Sequence, residues 1–154
     1  MEIVEAREPE AIAAVRELFA EYWTSFGFTP CFQGFGEELA GLPGKYAPPG
    51  GVLALLRTGG EWAGCVALRR CDDRRGEFKR LYVRPAYRGQ GLGRILLDWV
   101  IAKAREFGYT ELVADTMPEM QDALAMYERA GFRRTLPYSA DPTPGAIYLS
   151  LKLK

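Results

Sequence analysis

The chain of 154 residues predicts an α/β domain of the α+β kind. The expected layout is one mixed, mostly antiparallel sheet of about six or seven strands flanked by about four helices. Three observations predict it. Two apolar runs, "VLALLR" (52–57) and "EWAGCVALRR" (61–70), flank Thr58-Gly59-Gly60, a pairing typical of an antiparallel hairpin. "EFKRLYV" (77–83) leads through a glycine-rich passage directly into an amphipathic run. The last third alternates strand-like and helix-like segments, with no repeat or linker between them.

In chain order, "EIVEA" (2–6) reads as an opening strand. From Pro9, which suits a first helical turn, Ile12, Val15, Leu18, Phe19, Tyr22, Trp23 and Phe26 recur at helical spacing. Residues 27–51 are broken by Gly and Pro and predict a loop with one short helix near 36–41. After the hairpin, "DDRRG" (72–76) turns the chain into the strand 77–83. Leu92, Ile95, Leu96, Trp99, Val100 and Phe107 then share one helix face, and Gly108 follows where a left-handed cap ends such a helix. "TELVADT" (110–116) reads as a buried strand and "EMQDALAMYERAGF" (119–132) as a helix stopped by Gly131. Two strands, "FRRTL" and "GAIYLSLKL", close the chain around a proline-rich loop at 137–145.

Composition removes several classes of chemistry. The chain has no histidine, which excludes Ser–His and Cys–His nucleophile pairs and His-ligated metals. Proton transfer falls to Glu, Asp, Tyr, Lys or water. Three cysteines (Cys31, Cys65, Cys71) without a CxxC pair point to reduced thiols in a cytosol rather than a disulfide framework, and no metal is expected. No membrane span and no basic-then-apolar leader is expected. Net charge is zero, yet residues 69–94 hold nine Arg or Lys against three acids. This local excess suits a small polyanion, not a nucleic acid: a chain-wide basic footprint is missing, as is the aromatic–basic alternation of a stacking surface.

Glycines at 89, 91 and 93 lie within that basic stretch, between a strand and a helix. Bare backbone there lets a ligand reach successive N–H groups, and the helix dipole adds partial positive charge. The pattern is neither G-x-G-x-x-G nor a P-loop. In Arg88-Gly89-Gln90-Gly91-Leu92-Gly93, preceded by "LYVRPAYRG" and followed by "ALAMYERAGF", the chain resembles the GNAT superfamily of N-acetyltransferases, well over residues 50–153 and loosely before.

The resemblance implies acetyl-coenzyme A as cosubstrate. Its pyrophosphate would lie on the amides of Arg88, Gly89, Gln90, Gly91, Leu92, Gly93 and Arg94, with Arg88 and Arg94 adding charge. Its pantetheine arm would run beside Leu81, Tyr82 and Val83, on a strand that splays from its neighbour. The implied reaction is acetyl transfer to a primary amine of a small molecule or peptide, by direct attack. Tyr127 would serve the leaving thiolate, or simply pack on the core face of its helix. Glu77 would take the amine proton, unless a water chain does so or Glu77 is a strand-end partner for Arg74 or Arg75. Strict alternation would put Glu77, Lys79, Leu81 and Val83 on one face. Met120 stands where many relatives have an arm-contacting Asn, and Thr116 is a candidate substitute. The acceptor pocket would come from residues 22–50, rich in aromatics and carrying Glu37 and Glu38, and from 137–145. Dimers are common among similar proteins, so a homodimer is one expected state. The competing function is a non-catalytic acyl-CoA-binding sensor of the same fold.

Overall fold

A computed structural model describes residues 1–25, 34–139 and 142–154. The strands are β1 (Glu2–Glu5), β2 (Val52–Thr58), β3 (Glu61–Arg70), β4 (Arg75–Val83), β5 (Glu111–Thr116), β6 (Arg133–Thr135) and β7 (Ile147–Lys152). The helices are α1 (Pro9–Ser25), α2 (Phe35–Ala40), α3 (Leu92–Glu106) and α4 (Gln121–Arg129). The seven strands form one sheet in the order β1-β2-β3-β4-β5-β7-β6. Every neighbouring pair is antiparallel except β4–β5. Among the described residues no helix is long and apolar enough to cross a membrane.

Each sheet face carries its own core. On one, Ala54, Leu56, Val66, Leu68 and Phe78 pack with Leu96, Val100, Leu124 and Tyr127 from α3 and α4. On the other, Leu53, Leu55, Cys65, Ala67 and Tyr82 pack with Val15, Leu18, Phe19 and Trp23 of α1 and Phe35 of α2. Strand alternation accounts for this division: Ala54 and Leu56 point one way, Leu53 and Leu55 the other. Of the aromatics expected around an acceptor, Trp23, Phe35 and Tyr46 are core residues. Phe26, Phe28 and Phe32 lie outside the described residues, as does Cys31.

β4 departs from simple alternation. Its register pairs Ala67 with Lys79 but Cys65 with Tyr82, so β4 carries one extra residue there, and Arg80 sits at φ 60. This bulge corrects the expected faces. Glu77 and Lys79, opposite Arg69 and Ala67, point toward the α1 side, whereas Leu81 and Val83 join Phe78 on the α3 side. β4 also begins two residues earlier than expected, and α4 is shorter at both ends than the predicted 119–132.

Candidate active site

Pairing between β4 and β5 runs from Arg75/Glu111 through Glu77/Val113. Beyond it β4 continues to Val83 and β5 to Thr116, so the two strands form a fork whose inner main chain is available to a ligand. One prong ends at a 3-10 turn (Pro85–Tyr87) and the start of α3. Gly91 is the N-cap of α3 at φ 78, with no side-chain capping hydrogen bond, and Gly89 lies at φ 81. The amide of Ile95 is bonded to the Gly91 carbonyl, so the amides just before it lack an acceptor within the helix. A Cβ added at Gly89 or Gly91 meets nothing within 4 Å, whereas one at Gly93 would touch Met126 and Val83. Positive φ is thus needed at two of the three glycines. A phosphate-bearing ligand fits this cradle on its donors and its open approach.

The flanking arginines do less than expected. Arg94 pairs with Asp98 at 2.9 Å, one turn along α3, and Arg88 Nε donates to the Val83 carbonyl at 3.0 Å. The local excess of positive charge is largely answered from elsewhere. Arg84 pairs with Glu17 and Glu21, and Arg80 with Glu38. Attraction for an anion therefore rests mainly on main-chain amides.

Tyr127 lies on α4, on the side of the sheet that packs against α3. Gly131 at φ 105 ends the helix in a Schellman arrangement, with the Phe132 amide donating to the Tyr127 carbonyl at 3.0 Å. The ring packs edge-on against Phe78 at 5.3 Å and near Phe132 at 6.1 Å. With 4% exposure it belongs to the core. Burial raises its phenol pKa, and the charges of Tyr22 and Asp115 raise it further.

Glu77 lies where the strands part, on the α1 side. Its expected partners, Arg74 and Arg75, are not the ones it has. Arg75 is held by Asp72 at the turn, and Arg69, directly across the ladder, donates to Glu77 Oε1 at 2.8 Å. Tyr138 donates to Oε2 at 2.7 Å, bringing the proline-rich loop onto the sheet. Burial alone would raise the Glu77 carboxyl, but Lys79, Arg69 and the Tyr138 bond together hold it below its ordinary 4.5. The stability it contributes is therefore present above that pH and lost as pH falls through the lower folded value. Glu77→Gln is expected to flatten the fall in thermal midpoint below about pH 4.5 relative to wild type, as read by calorimetry.

Next to Glu77, Lys79 Nζ lies 3.9 Å from Glu77 Oε2 and 3.9 Å from Asp115 Oδ1. Glu111 and Asp115 are the two charges of a strand that otherwise reads as buried, and neither is among the expected site residues. Tyr138 lay within the expected loop without being named. Thr116 is engaged with the Met120 sulfur at 3.3 Å. Toward α2, a cavity of about 350 Å³ is lined by Glu37, Glu38, Lys45, Tyr46 and Arg69 among others, a volume suited to a small molecule.

The family model described as the Acetyltransferase (GNAT) family matches residues 12–132. An uncharacterized N-acetyltransferase of Schizosaccharomyces pombe is 35% identical over 147 residues, spanning 94% of this chain and 90% of that protein. A GNAT-family acetyltransferase from Staphylococcus aureus Mu50 superposes with a TM-score of 0.82 at 22% identity, over 99% of both chains. Another from Elizabethkingia anophelis, solved with acetyl-CoA bound, gives a TM-score of 0.68 at 23% identity, over 98% of this chain and 97% of that one.

Proposed function

The chain belongs to the GNAT acetyltransferase family, and on that premise we propose that it transfers an acetyl group from acetyl-coenzyme A to a primary amine of a small molecule or peptide. The observation that carries the reading is the meeting of an uncapped glycine N-terminus with the forked edge of β4. Acetyl-coenzyme A supplies the activated acyl group as a thioester, so no covalent enzyme intermediate is needed. The amides from Gly89 to Arg94 bind the pyrophosphate, the Arg88 amide being held by the Pro85 carbonyl, and the main chain of Leu81 and Val83 pairs with the amide-bearing arm. An N–H near Val83 donates to the acyl oxygen as negative charge gathers there, and being fixed backbone it costs no reorganisation. Glu77, held below its ordinary carboxyl value by Lys79 and Arg69 against the effect of burial, is ionised at neutral pH. As the base, Glu77 takes the amine proton, directly or through water, on a lone pair that the Arg69 and Tyr138 bonds leave open.

Tyr127 acts on the departing sulfur as a hydrogen-bond donor. A phenol starting near 10 already loses about 2 kcal/mol in giving its proton to a thiolate of pKa ~8.5, and burial widens that gap. Stabilising the developing charge, with proton transfer late, is the role its environment supports. Tyr127→Phe keeps the packing against Phe78 and Phe132. It is expected to lower thiol release about 100-fold while acetyl-CoA affinity stays within about threefold. Undiminished turnover would remove Tyr127 from the mechanism. The whole reading is tested by a screen of amines and peptides monitored by free thiol. Tight acetyl-CoA binding with no release on any acceptor would make the chain a sensor instead.

A further inference from the structure

Resting on the acetyltransferase reading, we propose that the acceptor is a free amino acid whose carboxylate is held by Arg69 in the cavity beside α2. Arg69 stands on β3 directly across the ladder from Glu77, and its guanidinium faces two ways. Nε donates to Glu77 Oε1 at 2.8 Å. The outer nitrogens, Nη1 and Nη2, make no hydrogen bond among the described residues, and the side chain, 25% exposed, lines the cavity. Their N–H groups lie in one plane, which suits a carboxylate bound through both oxygens.

The other lining side chains agree. Glu38 gives both oxygens to Arg80, so its charge is already answered. Glu37 and Lys45 are exposed at the cavity and opposite in sign. Tyr46 lines it too, and its buried hydroxyl has no hydrogen-bond partner. Deep in this wall the acidic acceptor is engaged while the donors of Arg69 and Tyr46 are open. An anion answers that imbalance and a second ammonium does not.

The amine follows from the same residue. Because one guanidinium touches both Glu77 and the cavity, a carboxylate on its outer nitrogens lies within a few ångströms of Glu77. In an amino acid a single carbon separates carboxylate from ammonium. Seating the first on Arg69 therefore brings the second beside the carboxylate that takes its proton. The N-terminal residue of a peptide has an uncharged amide in place of the carboxylate, and a plain amine has nothing there. The volume of about 350 Å³ leaves room for a side chain beyond these shared atoms. This narrows the acceptor from small molecules and peptides to the free amino acid.

The test sets each common L-amino acid against its own amide at saturating acetyl-CoA, with free thiol as the readout. The two carry the same amine and side chain, and the amide's amine is the more easily deprotonated, so intrinsic reactivity favours the amide. For the best amino acid, kcat/KM is expected to exceed that of its amide at least about 100-fold, mostly through KM. Arg69→Gln should bring this ratio to no more than about threefold. Any disturbance of Glu77 slows both acceptors alike and leaves the ratio unmoved, so the ratio separates a binding role from a structural one. Arg69→Lys keeps a charge without the planar fork and should lower the ratio at least about tenfold. It gives the reading if Arg69→Gln turns over neither acceptor or fails to fold. A wild-type ratio near one or below it overturns the proposal, as does a ratio that survives both substitutions. Turnover of plain amines but of no amino acid also overturns it, and leaves the acetyltransferase reading standing. Absence of acetyl-CoA binding in the wild type would instead remove that reading itself.

Discussion

Arg80→Ala is expected to lower the unfolding free energy by about 3–5 kcal/mol, read as a shifted urea midpoint with an unchanged slope. Its guanidinium makes two bonds to Glu38, at 3.0 and 2.9 Å, and lies 4.9 Å over the Trp23 ring and 5.2 Å over Phe35. The Arg80 side chain is 7% exposed and that of Glu38 20%, so truncation strands a carboxylate with little water to replace its partner. It also leaves a void between α1 and α2. Loss of one partner of such a pair, rather than the net worth of the pair, sets the magnitude. Arg80→Gly should be less harmful than Arg80→Ala by about 1 kcal/mol, because φ 60 suits glycine better than any residue with a Cβ. A hydrophobic double replacement, Arg80→Met with Glu38→Leu, should recover much of the loss. A loss below about 1 kcal/mol for Arg80→Ala would show that the pair is solvated and holds nothing.

The same residue marks where sequence reasoning stopped. The hairpin at Gly59-Gly60, the apolar stripes of α1 and α3, and the glycine stops at 108 and 131 are local signals, and each element follows from its own residues. The bulge has no such signal. An arginine in a left-handed conformation is held by Glu38, Trp23 and Phe35, which come from elements far away in the chain. One extra residue then moves Leu81 and Val83 to the other face from Lys79. The partner of Glu77 failed for a related reason. Arg74 and Arg75 are near it in sequence, but Arg69 is opposite it across the ladder, and register is a property of two strands.

Charge was misread in the same way. A window from 69 to 94 looks strongly basic, yet Glu17, Glu21, Glu38 and Asp115 answer it from three other elements, and Asp98 from farther along Arg94's own helix. What survives is the part owed to backbone. The fork itself was implied by family resemblance rather than by any residue pattern. Its position after Glu77 and Val113 follows from the register, since a parallel pair of three residues cannot hold strands that diverge.

That division between backbone and arginine charge sets the second large effect. Gly91→Val is expected to weaken acetyl-CoA binding at least about 100-fold, equivalent to about 2.7 kcal/mol, in titration calorimetry. A valine resists φ 78, so the N-cap must relax and the amides that follow lose their common aim. The added side chain projects into open space, meeting no atom within 4 Å, so the fold itself should lose only about 1–2 kcal/mol from strain. Affinity and stability should therefore part company. Arg94→Ala provides the contrast: with its guanidinium committed to Asp98, its loss should change affinity by no more than about threefold. Were Arg94→Ala the more damaging of the two, the anion would be held by side-chain charge, and the bare amides of the α3 N-terminus would be a turn and nothing more.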